Sequence, residues 1–438
     1  KVYHVYEAEA VTLYYLSNYV TFNEKRTDKI PAGVRENILV FDFGGGTINV
    51  SIIGLTRPIS RSSNTEIEIM ARVGYAIGGE TFDRIIAEII WKKLGEVVEY
   101  LPNPFKPINE IKNELNETEF DDWWKIGLRI RELAEKTKIQ LSDKNRLTNE
   151  QFIAKYGKDK SEKLSFNTKS ILPLDILSED TKNIISRFDE QKFTVELEEV
   201  LQNEEIEIVL TRLEEAIESA LQIYREEKFD LIHSLIFSGR SSFFPSVRSR
   251  IKQRIEKIQG QKPFCVEDMD EEQLKLAVAF GAAYYAAENQ NITLSKNKTL
   301  ANYGYIVINP MEHSAHTFKN IIPINTPFDE ENDKAEKIDN TKQNIEHNNK
   351  VIRFYQVNCE KSKAEEIINK EEKVKYSQIA EKVEINSNEI HRLRLSINSK
   401  DKFEGEIDDG MGAIEISADI EINDILEDND ENTTWLLG

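Results

Sequence analysis

Apolar and polar positions divide the chain into a first part mixing helix and strand patterns and a last part that alternates with period two. Glu7 to Val20 (EAEAVTLYYLSNYV) reads as a helix, and a polar loop through Arg35 leads to NILVFDFGGGTINVSIIGL, Asn37 to Leu55. There two apolar, β-branched runs flank three successive glycines, the pattern of a β-hairpin. Glu66 to Val73 (EIEIMARV) predicts another strand, which runs into the turn IGGETFD at Ile77 to Asp83 and then the helical run RIIAEIIWKKL. From about Pro102 to Glu204 the sequence is polar, helix-rich and irregular, as in an inserted subdomain. A helix (TRLEEAIESALQIYREE), a buried strand (LIHSLIFSG), a turn and a second helix (PSVRSRIKQRIEKI) follow, and LKLAVAFGAAYYAAE closes this region near Glu288.

After the polar stretch NQNITLSKNKT the pattern changes. NKVIRFYQVN, HRLRLSINS and GAIEISADIEI alternate strictly: Ile414, Ile416, Ala418, Ile420 and Ile422 share one face, and Glu415, Ser417, Asp419 and Glu421 the other. Such alternation predicts a half-buried antiparallel sheet. Asp329 to Lys350 reads as a charged loop, and LEDNDENTTWLLG as a loose acidic tail.

At 438 residues the chain is long enough for two or three domains. Its net charge of −21, from 57 basic and 78 acidic residues, argues against a nucleic-acid or anionic-membrane binder, since those need a basic footprint. Two cysteines far apart, Cys265 and Cys359, make neither a disulfide framework nor a zinc site. No apolar run approaches membrane-spanning length and no signal peptide opens the chain, so the expectation is a soluble, cytoplasmic protein whose partners are proteins or small ligands. The chain begins at Lys1 inside what reads as structured sequence, so the expectation is that a part lies upstream.

The glycine triplet carries candidate chemistry. Three residues without side chains let backbone N–H groups approach an anion, phosphate above all, and Asp42 two residues before them could face a metal held by that phosphate. Taken alone, the triplet leaves a plain hairpin turn and a phosphate cradle both open. In the helix DDWWKIGLRIRELAEKTKIQLS, Ile126, Ile130, Leu133, Thr137 and Leu141 form a buried stripe, beside which Glu135, Lys138 and Ser142 recur at i, i+3, i+7. An ordinary solvated ion pair is the simpler reading of that face. His313 and His316 are spaced H-x-x-H without a third ligand nearby and read as loop.

The order of these motifs adds more than any one of them. DFGGGT, IGGETFD, EKTKIQLS, GRSSFFP and AVAFGAA, in that sequence from Tyr3 to Ala287, resemble the nucleotide-binding domain of the seventy-kilodalton heat-shock (DnaK-type) chaperones. Within the actin-like ATPase superfamily that family carries D-L-G-G-G-T, L-G-G-E-D-F-D, E-R-A-K-x-x-L-S, G-G-S-T-R-I-P and A-V-A-Y-G-A-A. HTFKNIIPINTPF and KVIRFYQ are similar to strands of the family's substrate-binding β-domain. The resemblance implies an α/β actin-like ATPase domain, mainly its second lobe, at 1–290, with 78–204 inserted. A linker at 291–300, a mostly antiparallel β substrate-binding-like domain at 301–425 and an acidic tail at 426–438 complete the expected organisation.

The resemblance also implies ATP or ADP with magnesium as cofactors. Gly44, Gly45, Gly46 and Thr47 would cradle the terminal phosphates and Asp42 the hydrated magnesium, while Glu7 would position the attacking water. Gly78, Gly79 and Glu80 would lie beside the nucleoside, Glu135, Lys138 and Ser142 would reach ribose and adenine, and Gly239 would pass the α-phosphate. The chain departs from the family at Ala8, Asn49, Ile139, Arg240, Phe243 and Lys275. Ile139 and Phe243 replace two arginines that sandwich adenine, and Phe243 would stack on the base instead. The linker lacks the acidic-leucine docking run. The implied function is an ATP-binding chaperone-like protein that binds unfolded or partner polypeptides, with possible cochaperones, under nucleotide control. A non-hydrolysing nucleotide-binding scaffold or chaperone regulator is the alternative, and a small-molecule kinase a third. The family's first phosphate loop and its lysine would lie upstream of Lys1, so this chain alone is expected to be inactive in hydrolysis.

Overall fold

The computed structural model describes residues 5–60, 63–75, 77–101, 103–105, 114–167, 171–172, 174–188, 190, 192–225, 231–266, 271–295, 299, 301–308, 318–324, 326–329, 334–339, 343–344, 350–357, 376–378, 383–385, 389–390, 392–398, 402–408 and 413–419. His313, His316, Ile420, Ile422 and the acidic tail lie outside the described residues. The chain divides into two compact units. The first takes in Lys1–Ala76, Glu214–Gly239 and Ile251–Leu426, and the second chiefly Ile77–Leu213 and Arg240–Arg250.

The first unit is organised by the predicted hairpin. Strands β1 (Arg35–Phe43) and β2 (Ile48–Thr56) pair antiparallel, and β3 (Thr65–Tyr75) continues the meander beside β2. Ser234–Ser238 adds to the other side of β1 in parallel and Phe264–Val266 adds beyond it. Most positions of β1, β2 and Ser234–Ser238 are buried, so the near-continuous apolar runs ILVF and SLIFS mark strands covered on both faces. Ile292–Ser295 completes the six-stranded sheet by pairing in parallel with β3. That strand lies in the stretch expected to be a linker. Four residues are too few for the pattern to distinguish strand from connection, and the open edge of β3 supplies the partner.

The expected first helix is two. Helix α1 spans Glu7–Ser17 and α2 Tyr19–Glu24; between them the Asn18 side-chain amide donates to the Tyr14 carbonyl at 3.0 Å, competing with the backbone ladder. Helix α1 packs closely on Glu271–Glu288, where a Cβ at Gly281 would overlap the Ala10 carbonyl oxygen. A buried polar network ties these elements to the sheet. Arg26 and Glu36, with side chains 0% and 2% exposed, lie 2.5 Å apart. Arg26 Nη1 also donates to Ser234 Oγ at 2.7 Å, and Glu36 Oε1 accepts from Tyr15 at 3.0 Å and from Ser234. Burial, followed by the Glu36 charge, pushes the Tyr15 phenol well above its ordinary value, so it remains a donor.

The C-terminal strands are antiparallel, as the period-two alternation predicts. One sheet centres on Asn302–Ile308 and Lys350–Val357; the other runs in the order Lys334–Asp339, Arg392–Asn398, Lys402–Asp408, Ala413–Asp419. Tyr303, Ile322 and Phe354 of the first share a buried core with Ala335, Leu393, Leu395, Ile397, Phe403 and Ile407 of the second. The rings of Phe354 and Phe403 stand 5.5 Å apart. Lys334–Asp339 falls within the run read as a charged loop: Ala335 is buried there while Glu336 and Lys337 are exposed, so high charge masked a strand with one small inward residue.

In the second unit, α3 (Gly79–Lys93) packs on α4 (Glu117–Arg146), and the antiparallel pair Leu164–Asn167 and Lys192–Val195 belongs to the same insertion. Helix α4 starts at an Asn116–Glu119 capping box and buries Trp123, Ile126, Ile130, Thr137 and Leu141, while Leu133 is half-buried. Among the described residues no helix is long and apolar enough to cross a membrane.

The ion pair beneath the sheet yields a first prediction. Glu36→Ala strands the Arg26 guanidinium in a buried site with only the half-exposed Asp28 as counter-ion. Urea unfolding should show a loss of about 3 kcal/mol, whereas Glu196→Ala at the exposed Lys163–Glu196 pair should leave the midpoint nearly unchanged.

Candidate functional site

The glycine turn sits at the tip of the β1–β2 hairpin. Phe43 and Ile48 form its last ladder pair, and Gly44 N–H donates to the Thr47 carbonyl at 2.9 Å. Both Phe43 and Ile48 are buried, so the strand ends are fixed, while Gly45 and Gly46 are exposed. Asp42 pairs in register with Asn49 on one side and with Ser238 on the other. Its carboxyl is pushed up to about 6 by burial first and by the negative charge of Glu7 second, against a hydrogen bond from Ser238 that acts in the opposite direction. Glu7 opens α1 and is exposed. Gly239 follows Ser238 with φ +74°, and a Cβ there would overlap the Phe43 carbonyl oxygen and lie 2.7 Å from Asp42 Oδ1. Only glycine lets this backbone pass so close to the end of β1.

The other sequence-predicted residues lie in the second unit. Gly78 precedes α3 and Gly79 begins it, with half-buried Glu80 on its first turn, 3.7 Å from the Arg131 guanidinium of α4. Glu135 is exposed on α4. Lys138 is 2.6 Å from Asp83 Oδ2 and also donates to the Gly79 carbonyl at 3.0 Å; Ser142 Oγ donates to the Lys138 carbonyl at 2.8 Å. Burial raises the Asp83 carboxyl, and the Lys138 charge opposes that shift. Phe243 ends the short turn Arg240–Phe243, and its ring carries two guanidinium groups, those of Arg146 at 4.3 Å and Arg248 at 4.1 Å from its centroid. The sequence reading missed Asp83, Ser238, Arg146 and Arg248. Asp83 and Ser238 stand inside quoted motifs, but no spacing links Arg146 or Arg248 to Phe243.

A family model described as Hsp70 protein matches residues 24–201, a span that contains the hairpin, α3 and α4. Over 257 residues the chain is 26% identical to the chaperone protein dnaK of Phaeodactylum tricornutum (strain CCAP 1055/1), an alignment covering 57% of this chain and 31% of that relative. Over these spans the chain is similar to Hsp70 proteins. The alignment takes in less than a third of the relative's length. Hsp70 proteins bind ATP or ADP with magnesium. Glu7, Gly239 and Phe243 fall outside the span matched by the Hsp70 model, which contains Asp42, the glycine triplet, Gly78 to Glu80 and the Glu135, Lys138, Ser142 face.

Two expected outcomes follow from this geometry. Gly239 and Gly260 share φ +74°, but nothing lies within 4 Å of a Cβ built at Gly260. Gly260→Ala should cost about 1 kcal/mol in urea unfolding, the left-handed backbone alone, whereas Gly239→Ala should cost about 3 kcal/mol or more because the β1 backbone must also move. Folded Asp42 holds its proton up to about pH 6, while an unfolded aspartate releases it near 3.8. Between those values the unfolded chain binds fewer protons, so in metal-free buffer stability falls as pH rises and is lower by about 3 kcal/mol above the window, about 1 kcal/mol of it between pH 5 and pH 7. Asp42→Asn should remove that fall, which urea midpoints measured at pH 5 and pH 7 on both proteins will show.

Proposed function

We propose that this chain, similar to Hsp70 proteins over residues 24–201, is an ATP-binding, chaperone-like protein that engages unfolded or partner polypeptides under nucleotide control. The observation that carries the reading is the hairpin tip, where exposed residues Gly45 and Gly46 adjoin the half-buried Asp42 and the Glu7 charge. A side-chain-free turn supplies N–H groups for phosphate oxygens, and the raised Asp42 carboxyl beside the Glu7 charge fits a hard divalent cation that relieves their repulsion. Among the described residues no three His, Cys, Asp or Glu side chains cluster as a metal cage, a donor set that suits magnesium held through water and phosphate rather than a closed protein site. Magnesium bound there would neutralise phosphate charge. Asp42 would orient it, Glu7 would hold a water, Gly44 to Thr47 would bind the terminal phosphates, and Gly239 would leave room for the α-phosphate. Gly78, Gly79, Glu80, Glu135, Lys138 and Ser142, in the second unit, are the residues that the resemblance would assign to a nucleoside.

Polypeptide engagement is assigned to the C-terminal sheets. Phe318–Ile322, Lys334–Asp339 and Ala413–Asp419 stand at the ends of their strand orders, and an extended peptide can add to an open edge by backbone hydrogen bonds. Calorimetry tests the nucleotide half. Asp42→Asn should weaken magnesium-dependent ATP binding about tenfold or more while leaving fluorescence anisotropy of a labelled hydrophobic heptapeptide unchanged in the absence of nucleotide. Equal ATP affinity in variant and parent sinks the assignment of Asp42; the absence of both ATP and peptide binding sinks the function.

A further inference from the structure

At the N-terminal end of α4, Glu117, Thr118, Phe120, Asp121 and Trp124 line a surface groove of about 650 Å³. Helical spacing groups them. Glu117, Asp121 and Trp124 stand at i, i+4 and i+7, and Phe120 lies one turn before Trp124, so one face presents two carboxylates beside two rings. The rings are backed from inside. Trp123 is buried, its indole Nε1 donates to the Asn103 carbonyl at 2.7 Å, and its ring stands 5.2 Å from Phe120 and 6.3 Å from Trp124. Because Trp123 makes the core contact, Phe120 and Trp124 are only half-buried and keep part of their apolar surface outside.

Charge decides what can enter the groove. Glu119 is engaged in the capping box with Asn116, and Asp121 lies 2.5 Å from Lys125, whose ammonium also donates to the Ile176 carbonyl at 2.7 Å. Among the described residues none pairs with Glu117 or accepts from the Trp124 indole N–H. The carboxylates of Glu117, Glu119 and Asp121 outweigh the Lys125 ammonium together with the roughly half positive charge of a helix N-terminus. An anion is therefore repelled, whereas a cation meets a carboxylate and the negative faces of two rings. A guanidinium suits this pairing better than an ammonium: it is planar, stacks on an indole, still directs N–H groups to a carboxylate, and is more weakly hydrated. Leu128, one turn beyond Trp124, is 44% exposed and extends the apolar stripe along the helix past the reach of a small free cation. The net charge of −21 favours the approach of a basic partner.

We infer that this face of α4 docks a basic polypeptide segment, with an arginine side chain laid against Trp124 and its guanidinium paired to Glu117. The surface is separate from the sheet edges assigned to extended peptides, and it does not depend on the phosphate reading of the hairpin.

The test is fluorescence anisotropy on the full chain with a labelled arginine–glycine heptapeptide. The parent protein should bind it, and should bind a lysine–glycine counterpart about threefold more weakly. Trp124→Ala and Glu117→Lys should each weaken binding about tenfold, while Trp124→Phe, which keeps an aromatic face, should stay within about threefold of the parent. Glu150→Lys, the same charge reversal at an exposed site on the helix Asn149–Tyr156, should leave binding nearly unchanged, which separates recognition in the groove from attraction to the overall charge. A labelled hydrophobic heptapeptide should bind all these proteins alike. No binding of the arginine peptide, equal binding of a glutamate–glycine peptide, or an equal loss in Glu117→Lys and Glu150→Lys overturns the inference. Displacement of the peptide by tetramethylammonium at equal concentration gives the groove to a small cation and overturns it too. Should Trp124→Ala fail to fold, the comparison of Glu117→Lys with Glu150→Lys decides alone, since both side chains are exposed.

Discussion

A backbone crossing at the end of β1 sets what the first unit can do. Ser234–Ser238 runs parallel to β1, and the chain leaves it through Gly239 so close to Phe43 that no side chain fits between. That approach brings Ser238 to Asp42, and β1 in turn carries Asp42 to the mouth of the glycine turn. A wider crossing would free the Asp42 carboxyl to solvent, lower its pKa and loosen a fixed wall beside the exposed Gly45 and Gly46. The strand register beneath is held by buried apolar residues on both faces of the sheet and by the Arg26–Glu36 pair, which links the segment after α2 to β1 and to Ser234.

The two carboxylates at the tip illustrate a conflict between folding and binding. Burial makes Asp42 costly to ionise, and Glu7 adds to the cost, so the metal-free fold is less stable for carrying them. A site shaped by stability alone would place amides there. Retaining the charge makes sense under the proposed reading, in which a cation and phosphate complete the arrangement.

The second unit resolves its polar chemistry differently. Asp143 accepts from Arg146, Lys155 and Tyr156, and although burial pushes its carboxyl up, those hydrogen bonds hold it below the ordinary value. Asp122 likewise is engaged by Ser178 and Thr181. Such internally satisfied clusters give rigid positions for Arg146 and Lys138, and a rigid, satisfied side chain is a poor recruit for a ligand.

Much of this was legible in the sequence because it is local. The hairpin, the helix stripe Ile126, Ile130, Thr137, Leu141 and the alternating C-terminal strands are periodic patterns that a few neighbouring residues decide, and the glycine triplet advertises its own conformation. The sequence misread short segments whose state a partner decides: Ile292–Ser295 became a strand because β3 offered an edge, Lys334–Asp339 because Arg392–Asn398 did, and the helix through Val20 broke where the Asn18 amide found a carbonyl. For the candidate site, the chain alone determined which residue types stand in which motif. Only the tertiary structure decided their partners, since Arg146 and Arg248 meet Phe243, and Glu7 meets Asp42, through folds of the chain that no spacing encodes; electrostatics and stacking act across space, not along sequence.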